Sequence, residues 1–314
     1  FSIGAGNTVL VKQRGVSSVL LNRVVGTGTP GSITQSLIDG TLSANGRVFV
    51  VNPAGIVFGK SAQVNVGGLV ASTLDIRGAS ESARDASFMA GGERFEFDAN
   101  GGNASTPVTN AGALQTQGMG GLIALVGGEV HNTGTVKAPG GTVAFGSADN
   151  VVLDIGGDGL TKLIVPATRS KVMPSSYIHN EGLVEAHGGQ VAMRSSGTEV
   201  GKDIGIRSVG GLIAADTMYE RNGQIVLDSG LAAGGVYLEG AAIHAQGGAG
   251  QKGGAIDIRG ATVLMDRYEP REVMTPVVFR ARLDVSGEAG GGTVRVEAVG
   301  AEGVARSGAI YFSG

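Results

Sequence analysis

Short apolar runs separated by turn-forming residues make up most of the chain. Within residues 45–76, the runs 48–51, 56–58 and 64–66 alternate with Asn-Pro, Ala-Gly and Gly-Gly pairs. Proline fixes φ and has no N–H to donate, whereas glycine adopts positive φ, so each pair interrupts regular structure. No run in this stretch is long enough for a helix. The pattern therefore predicts short β-strands in a chain that turns a corner every few residues.

A repeat becomes visible after Thr106. Each copy reads Asn-x-Gly-x-apolar, then a glycine-rich corner, then Gly-x-apolar-Ala-apolar, and three clear copies begin at Thr109, His131 and His179. Gly121 and Gly141, which open the second half of successive copies, are 20 residues apart. Weaker copies begin at Asn222, Gly254 and Gly292. A unit of this length with variable insertions is typical of solenoid proteins.

Strands of this length predict the architecture. A strand of three to five residues buries too little to stand alone, but stacked coils bury a continuous apolar column and pair their backbones at about 4.8 Å. We expect Gly or Asn at positive φ in the corners, and Asn110, Asn132 and Asn180 as a hydrogen-bonded corner ladder. An antiparallel sandwich would need longer, hairpin-connected strands. The sequence predicts an all-β, right-handed parallel β-helix with extra-helical hairpin excursions.

Three segments depart from this pattern. Residues 26–31 formally read G-x-G-x-x-G, but no amphipathic helix follows and Pro30 interrupts them, so we interpret them as a loop rather than a dinucleotide site. Residues 33–42 are predicted as one short helix or as coil. Residues 80–103 carry many charges and are predicted as a solvated excursion, with Phe95–Phe97 forming an edge hairpin strand.

Composition excludes several classes of protein. The 314 residues include 57 Gly, no Cys and no Trp, yet 42% are hydrophobic, so a core of Val, Ile, Leu and Ala is expected. Without Cys there is no disulfide and no thiol chemistry. The net charge of −3 includes no basic block that would indicate nucleic acid. Apolar runs are too short for a transmembrane helix, and no signal peptide opens the sequence.

Catalysis is not expected. A glycosidase needs two carboxylates about 5–9.5 Å apart, and the candidate pairs are Asp154 with Asp158 and Asp257 with Asp266. Each of these residues, like Asp228, stands singly in its segment, and the strand aspartates take the outward position of an alternating strand. We therefore predict that the protein is not an enzyme.

No cofactor or metal is expected either. His131 and His179 precede equivalent asparagines, so repeat register explains them better than a metal site, and His187 and His244 stand alone. Residues 156–159 hold one fragment of a calcium-binding repeat, where tandem copies would be required. Three tyrosines near repeat interruptions could belong to ligand loops, although buried packing is the favoured interpretation; they are Tyr177, Tyr219 and Tyr268.

Several blocks in the first quarter of the chain carry a family resemblance. They are Phe1-Ser2-Ile3-Gly4, the run Leu21-Asn22-Arg23-Val24-Val25-Gly26, Asn52-Pro53-Ala54-Gly55-Ile56, Phe58-Gly59 and residues 64–73. In this order and spacing they resemble the two-partner-secretion domain that begins filamentous-haemagglutinin-like exoproteins. The family usually has Asn-Pro-Asn-Gly-Ile, so a role of that second Asn cannot be transferred to Ala54.

The resemblance implies a function. It implies the same β-helical fold, and export through a dedicated outer-membrane β-barrel transporter with periplasmic receptor domains, after which the chain folds outside. The expected protein is a secreted or cell-surface adhesin of a Gram-negative bacterium. We expect a secretion domain in residues 1–105, with its initial strands missing, and continuing repeats of the shaft in residues 106–314. Candidate adhesion targets are a host receptor and an extracellular polysaccharide.

The resemblance also selects candidate secretion residues. They are Asn22, Arg23, Asn52, Pro53, Gly55 and Ile56. Two interpretations remain open for them: direct contact with the transporter, and corner residues that the fold requires.

Two rival hypotheses remain. One is a polysaccharide-binding or polysaccharide-cleaving β-helix, which a row of aromatic or paired acidic residues along one face would favour. The other is a passive rod whose binding tip lies outside this chain.

Overall fold

The computed structural model describes residues 1–26, 33–90, 92–99, 106–155, 162–165, 176–198, 204–219, 221–230, 234–269, 277–298 and 309–311. Within these ranges the chain forms one helix, α1 Glu81–Met89, and 31 strands. The first fifteen strands are β1 Thr8–Val11, β2 Val19–Arg23, β3 Ser36–Ile38, β4 Thr41–Val51, β5 Ile56–Phe58, β6 Gln63–Ser72, β7 Asp75–Ile76, β8 Arg94–Asp98, β9 Pro107–Asn110, β10 Ala113–Thr116, β11 Leu122–Gly127, β12 Glu129–Asn132, β13 Thr135–Lys137, β14 Thr142–Ser147 and β15 Asn150–Asp154. The others are β16 Lys162–Ile164, β17 Tyr177–Asn180, β18 Leu183–Glu185, β19 Gln190–Ser195, β20 Ile204–Val209, β21 Leu212–Ala214, β22 Gln224–Asp228, β23 Gly235–Glu239, β24 Ala242–His244, β25 Ala255–Gly260, β26 Thr262–Leu264, β27 Asp266–Glu269, β28 Val277–Arg280, β29 Arg282–Asp284, β30 Thr293–Ala298 and β31 Ala309–Tyr311.

Successive coils contribute equivalent strands to the same faces. The coil β12–β13–β14 is followed by β17–β18–β19, and each strand pairs in parallel with its counterpart one coil away. The first strands of the coils form a nine-stranded sheet, β3-β5-β9-β12-β17-β20-β23-β26-β31, hereafter the nine-stranded face. The second and third strands belong to a larger sheet of 16 described strands. The predicted right-handed parallel β-helix is confirmed.

Two long strands join the halves of the larger sheet. β4 has 11 residues and β6 has 10, and each runs across a position where later coils turn a corner. Their register slips between Ala44 and Arg47, which marks a bulge at this position. The first part of β4 pairs with β1 and its second part with β2. Consequently β4 lies between the first coil and the rest of the solenoid.

The helix or coil predicted over residues 33–42 is wrong. Residues 36–38 form β3, and β4 begins at residue 41. Ser36 and Ile38 are buried and Leu37 is exposed, because parallel pairing with β5 imposes strand alternation on this short segment. Tertiary pairing therefore decides its conformation.

The core has two compartments. Alternating residues of β4 separate them: Val48 and Val50 belong to the interior of the solenoid, whereas Phe49 and Val51 belong to a second cluster on the outer face of the larger sheet. The strand thus reads as a continuous apolar run because both of its faces are covered.

The second compartment is covered by excursions of the chain. Strands from residues 75–98 and 150–164 form a four-stranded antiparallel sheet in the order β16-β15-β8-β7. Helix α1 starts at the N-cap Ser80, whose hydroxyl accepts the Ala83 N–H. Phe88 of α1 and Phe95 of β8 contact Phe49, with ring centroids 5.3 Å and 4.9 Å away. Three facing rings therefore attach the excursion to the solenoid.

This arrangement corrects the predicted solvated excursion. The segment contains a helix, and its Phe88, Phe95 and Phe97 side chains are buried. β8 is an interior strand between β7 and β15, so the predicted edge position of residues 95–97 is wrong. A second excursion, β27 with β28, is an antiparallel hairpin of the predicted kind.

Corner glycines have two roles: Gly120, Gly140 and Gly188 have the predicted positive φ, at 81°, 62° and 68°, and the glycine after each of them allows close approach of neighbouring coils. Gly121, Gly141 and Gly189 stack on successive coils, where the N–H after each glycine donates to the glycine carbonyl one coil earlier at 2.9 Å. A Cβ on Gly141 would lie 1.9 Å from the Gly121 carbonyl oxygen, so close approach of backbones excludes any side chain. None of these three has positive φ. The expected Gly or Asn at positive φ is glycine in every described case, since Tyr219 (φ 57°) is the single described non-glycine residue with that geometry.

We predict that Gly141→Ala lowers the free energy of unfolding by about 1–3 kcal/mol, because the new methyl group must push two coils apart. Gly15→Ala is the matched control, since a Cβ there meets no atom within 4 Å, and its effect should stay within about 0.5 kcal/mol. Urea denaturation followed by circular dichroism measures both. Equal effects of the two substitutions would contradict the close-approach explanation.

Candidate functional site

The two blocks that suggested secretion meet at one corner of the solenoid. β2 ends at Arg23 opposite Val51, the last residue of β4, and Val51 lies opposite Ser72 at the end of β6. The Val24 N–H donates to the Val51 carbonyl at 2.8 Å, and the Asn52 N–H donates to the Ser72 carbonyl at 2.9 Å. Parallel pairing thus brings the Asn22-Arg23 block beside the turn that follows β4.

Asn52 is fully buried and all of its side-chain groups have partners. Its Oδ1 accepts the Ala54 N–H at 2.9 Å, which closes an Asx turn. Its Nδ2 donates to the Thr34 carbonyl and to the Ser36 Oγ, both at 2.9 Å. One side chain therefore shapes its own turn and ties it to the chain that enters the preceding coil at β3.

The rest of this turn leads the chain into β5. Gly55 has φ 116°, donates its N–H to the Asn52 carbonyl at 3.0 Å and accepts the Ser36 N–H at 2.9 Å. This φ strains any residue with a Cβ, so glycine is required here. Ile56 is buried in the solenoid core, and Pro53 is half-buried before it. Asn52, Gly55 and Ile56 each have a structural role in the folded domain.

Arg23 fastens the excursion to the solenoid. Its Nε and Nη2 donate to both carboxylate oxygens of Asp75 at 2.7 Å and 2.9 Å, and its Nη1 reaches Asp85 of α1 at 3.1 Å. The Arg23 side chain is 6% exposed, and Arg84 contacts the same Asp75 from α1 at 3.0 Å. The hydrogen bonds that Arg23 donates to Asp75, together with the surrounding carboxylates, raise the pKa of Arg23. β2, β7 and α1 are joined by this network.

Asn22 occupies a different environment from its neighbour. It lies in β2 opposite Val50, whose side chain points into the solenoid interior. By strand alternation Asn22 faces the interior side of the first coil, while Arg23 faces the excursion. Asn22 is half-buried. The two adjacent candidates therefore serve opposite faces of the sheet.

The three ladder asparagines come together on the nine-stranded face. Asn110 donates to Asn132 Oδ1, and Asn132 donates to Asn180 Oδ1, each at 2.8 Å. All three side chains are buried, and Asn180 continues the row to the Ser208 hydroxyl at 3.3 Å. The row satisfies buried amides from coil to coil and so fixes the register of these strands.

The remaining candidates lie apart from this corner. Asp154, half-buried, pairs opposite Arg94 in the antiparallel sheet, Asp228 accepts from Arg194 at 2.7 Å, and Asp257 is half-buried on an alternating strand. Asp158, residues 156–159 and residues 27–31 lie outside the described residues, and so does the side chain of Tyr268. Buried packing is wrong for Tyr219, which is 72% exposed, whereas Tyr177 is half-buried.

The histidines belong to two places in the fold. His131 and His179 are in register on β12 and β17. His244 Nδ1 lies 2.9 Å from Asp216 Oδ1, and His187 Nδ1 lies 3.5 Å from the other oxygen of that carboxylate. Across the part of the chain that the structure describes, no group of three or more His, Asp or Glu residues has the arrangement of a metal site. In the same residues, no helix is both long and apolar enough to cross a bilayer.

Sequence reasoning missed the partners of Arg23. Asp75 and Asp85 are 52 and 62 residues away in the chain, and the charges of residues 80–103 were interpreted as a solvated face. The available signal was an isolated Arg in an apolar strand, which burial makes costly unless a carboxylate faces it.

Removal of the Asn52 side chain tests its structural role. Asn52→Ala should lower the free energy of unfolding by about 3 kcal/mol, because three buried or part-buried groups lose a partner at about 1–3 kcal/mol each. Asn222→Ala, at an exposed position, should change it by less than about 0.5 kcal/mol. Denaturant titration of both variants gives the comparison. If Asn52→Ala unfolds at the same denaturant concentration as the wild type, the structural role of the Asn52 side chain is contradicted.

The Arg23 network is tested by a substitution that keeps the charge. Arg23→Lys should cost about 2 kcal/mol, since lysine cannot reproduce the two-point contact with Asp75. Arg295→Lys is the matched control: its ion pair with Glu297 is exposed, so the change should be within about 0.5 kcal/mol. Thermal unfolding of both variants, followed by far-ultraviolet circular dichroism, measures the difference. If both variants melt like the wild type, the two-point contact between Arg23 and Asp75 does not contribute to stability.

Comparison with known proteins identifies the family to which the chain is similar. The model of the TPS secretion domain matches residues 1–258. Two heme/hemopexin-binding proteins of Haemophilus influenzae are 42% identical over 82 residues and 38% identical over 88 residues, which covers 26% and 28% of this chain. The chain spans only 8% and 9% of those relatives' length.

A solved structure agrees over most of the chain. The crystal structure of the HMW1 secretion domain from Haemophilus influenzae has a TM-score of 0.71 and 28% sequence identity, and the match covers 94% of this chain and 67% of that one. The family match over residues 1–258 includes the residues that build the Asn52 corner. The chain belongs to the TPS secretion domain family.

Proposed function

We propose that this domain directs export of its parent exoprotein through a partner outer-membrane β-barrel transporter, and that it nucleates folding of the β-helix outside the cell. A TPS secretion domain implies secretion across the outer membrane through such a partner. The observation that carries the folding part is the meeting of both sequence blocks at one buried corner. There, Asn52 ties its turn to β3 and Arg23 attaches α1.

Burial assigns the two open interpretations of the motif to two different stages, before and after the domain folds. In the folded domain the Asn52 side chain is fully enclosed and Arg23 is 6% exposed, so neither can present its polar atoms to a receptor. Direct recognition by periplasmic receptor domains therefore belongs to the unfolded chain, where both are accessible. After export the same residues act as corner elements. The same residues therefore serve recognition first, in the unfolded chain, and the structure of the corner afterwards, in the folded domain.

The order of strands supports nucleation at β4 and β6. These two strands are neighbours in the chain, separated by the Asn52 turn and β5, and their register includes Thr41 with Gln63 at one end and Val51 with Ser72 at the other. Long pairing at short chain separation needs little loop-closure entropy. Each later coil then adds strands to an existing edge. Folding that proceeds from this end would oppose backward sliding of the chain.

The function of the parent chain is proposed on the family alone. We assign it adhesion at the cell surface or in the released state, with a host or extracellular target. The receptor domains in the periplasm and this adhesive role are both parts of the proposal. The binding activities in the relatives' names belong to those longer proteins.

Secretion of the parent exoprotein is the direct test. Export should require the transporter, and it should fall at least about tenfold in Asn52→Ala, with Asn222→Ala exported like the wild type. Asn22→Ala separates recognition from folding, because Asn22 is only half-buried at the first coil. Refolding of each purified variant, followed by circular dichroism, is measured in parallel.

The outcomes differ for the two parts of the proposal. Slower refolding of Asn52→Ala together with reduced export supports nucleation, whereas normal refolding with reduced export leaves recognition as its sole role. Export without the transporter would contradict the two-partner mechanism itself.

A further inference from the structure

Ring side chains are concentrated on the outer surface of the nine-stranded face. β12 and β17 pair in register, which sets Glu129 beside Tyr177 and His131 beside His179. The His131 ring centroid lies 5.3 Å from that of Tyr177 and 6.1 Å from that of His179. Three rings thus form one continuous patch, in a chain that has no Trp and only 4% aromatic residues. We name Tyr177, His131 and His179 the ring patch.

The ring patch is accessible and extends along the solenoid. The His131 and His179 side chains are 31% and 25% exposed, and Tyr177 is half-buried. The column that contains both histidines continues through Arg207 on β20 and Tyr237 on β23. Its members repeat at the spacing of parallel strands, about 4.8 Å. The surface is therefore elongated along the solenoid axis, as an extended polymer would require.

Carboxylates border the rings and fix their orientation. Glu129 lies 3.2 Å from His131 Nε2, and Glu181 lies 3.1 Å from His179 Nε2. Glu239 holds Arg207 through two hydrogen bonds of 3.0 Å and 3.1 Å. The Glu181 side chain is 49% exposed, and a carboxylate has about four acceptor positions, so Glu181 can accept further hydroxyl donors. Rings flanked by such acceptors suit a ligand with apolar faces and hydroxyl edges.

The charge of this surface determines which class of polymer it can bind. Three carboxylates face one guanidinium, so the patch has negative formal charge when histidine is counted as neutral. Nucleic acids, uronates and sulfated glycans would be repelled. We propose that the outer surface of the nine-stranded face binds a neutral polysaccharide, with sugar rings stacked on the ring patch and hydroxyl groups donated to Glu181. This site lies away from the Asn52 corner and is independent of export.

Affinity electrophoresis of the 314-residue chain in gels that contain soluble neutral polysaccharides (xyloglucan or galactomannan) tests the proposal, with polygalacturonate as the anionic comparator. The wild type should be retarded by at least one neutral polymer and not by polygalacturonate. Tyr177→Ala and His131→Ala should each weaken this retardation about tenfold, equivalent to about 1.4 kcal/mol, whereas Tyr177→Phe should retain it.

Tyr219→Ala is the matched control, because it removes an exposed tyrosine ring elsewhere on the molecule. It should bind like the wild type. Circular dichroism and melting curves show whether each variant is folded, and His131→Ala carries the test if Tyr177→Ala is not. Absence of retardation by every neutral polymer, preference for polygalacturonate, or equal loss in Tyr219→Ala would each overturn the proposal.

Discussion

Parallel backbone pairing between successive coils is the constraint on which the rest of the structure depends. Where a Cβ would point along the stack toward the carbonyl of the neighbouring coil, nothing larger than glycine fits at a spacing of about 4.8 Å. The column through Gly121, Gly141 and Gly189 follows from this limit, since each would place a Cβ on the carbonyl of the coil before it. The same spacing aligns polar side chains, so that Asn110, Asn132 and Asn180 can satisfy one another inside the protein. Repetition in the sequence is thus a consequence of contact between copies.

The first coils need support that later coils receive from neighbours on both sides. An end coil has a neighbour on one side only, and here β4 is held from the first coil by two short strands, β1 and β2. The excursion adds a second apolar compartment above the same strands, centred on Phe49. An ion-pair network through Arg23 then fixes the orientation of α1, at a site where loss of one partner would leave a buried charge. The early coils are therefore stabilised by contacts with the excursion as well as by strand pairing with the next coil.

The sequence was sufficient for features that depend on neighbouring residues or on the repeat. Short apolar runs, corner glycines and recurring Asn-x-Gly units predict the parallel β-helix, and the Asn52 turn could be located from Asn-Pro and Gly55. Contacts between remote segments could not be predicted: Asp75 as the partner of Arg23 needs the three-dimensional path of the excursion. Residues 33–42 were misassigned for the same reason, since pairing with β5 decides that segment. Positive φ at Gly120, Gly140 and Gly188 is a local property and could be predicted, whereas the close approach at Gly141 and Gly189 depends on the neighbouring coil and could not.

Separation of functions between faces follows from the geometry of a solenoid. The Asn52 corner and its excursion occupy the ends and outer face of the larger sheet, where they stabilise the first coils. On the nine-stranded face, His131 and His179 point outward and are 31% and 25% exposed, and Tyr177 beside them is half-buried. A residue that points outward from a coil can change without disturbing the inward column, because strand alternation keeps the two sets apart. The interior of the β-helix can therefore satisfy the demands of export and folding while an outer face acquires a binding surface of its own.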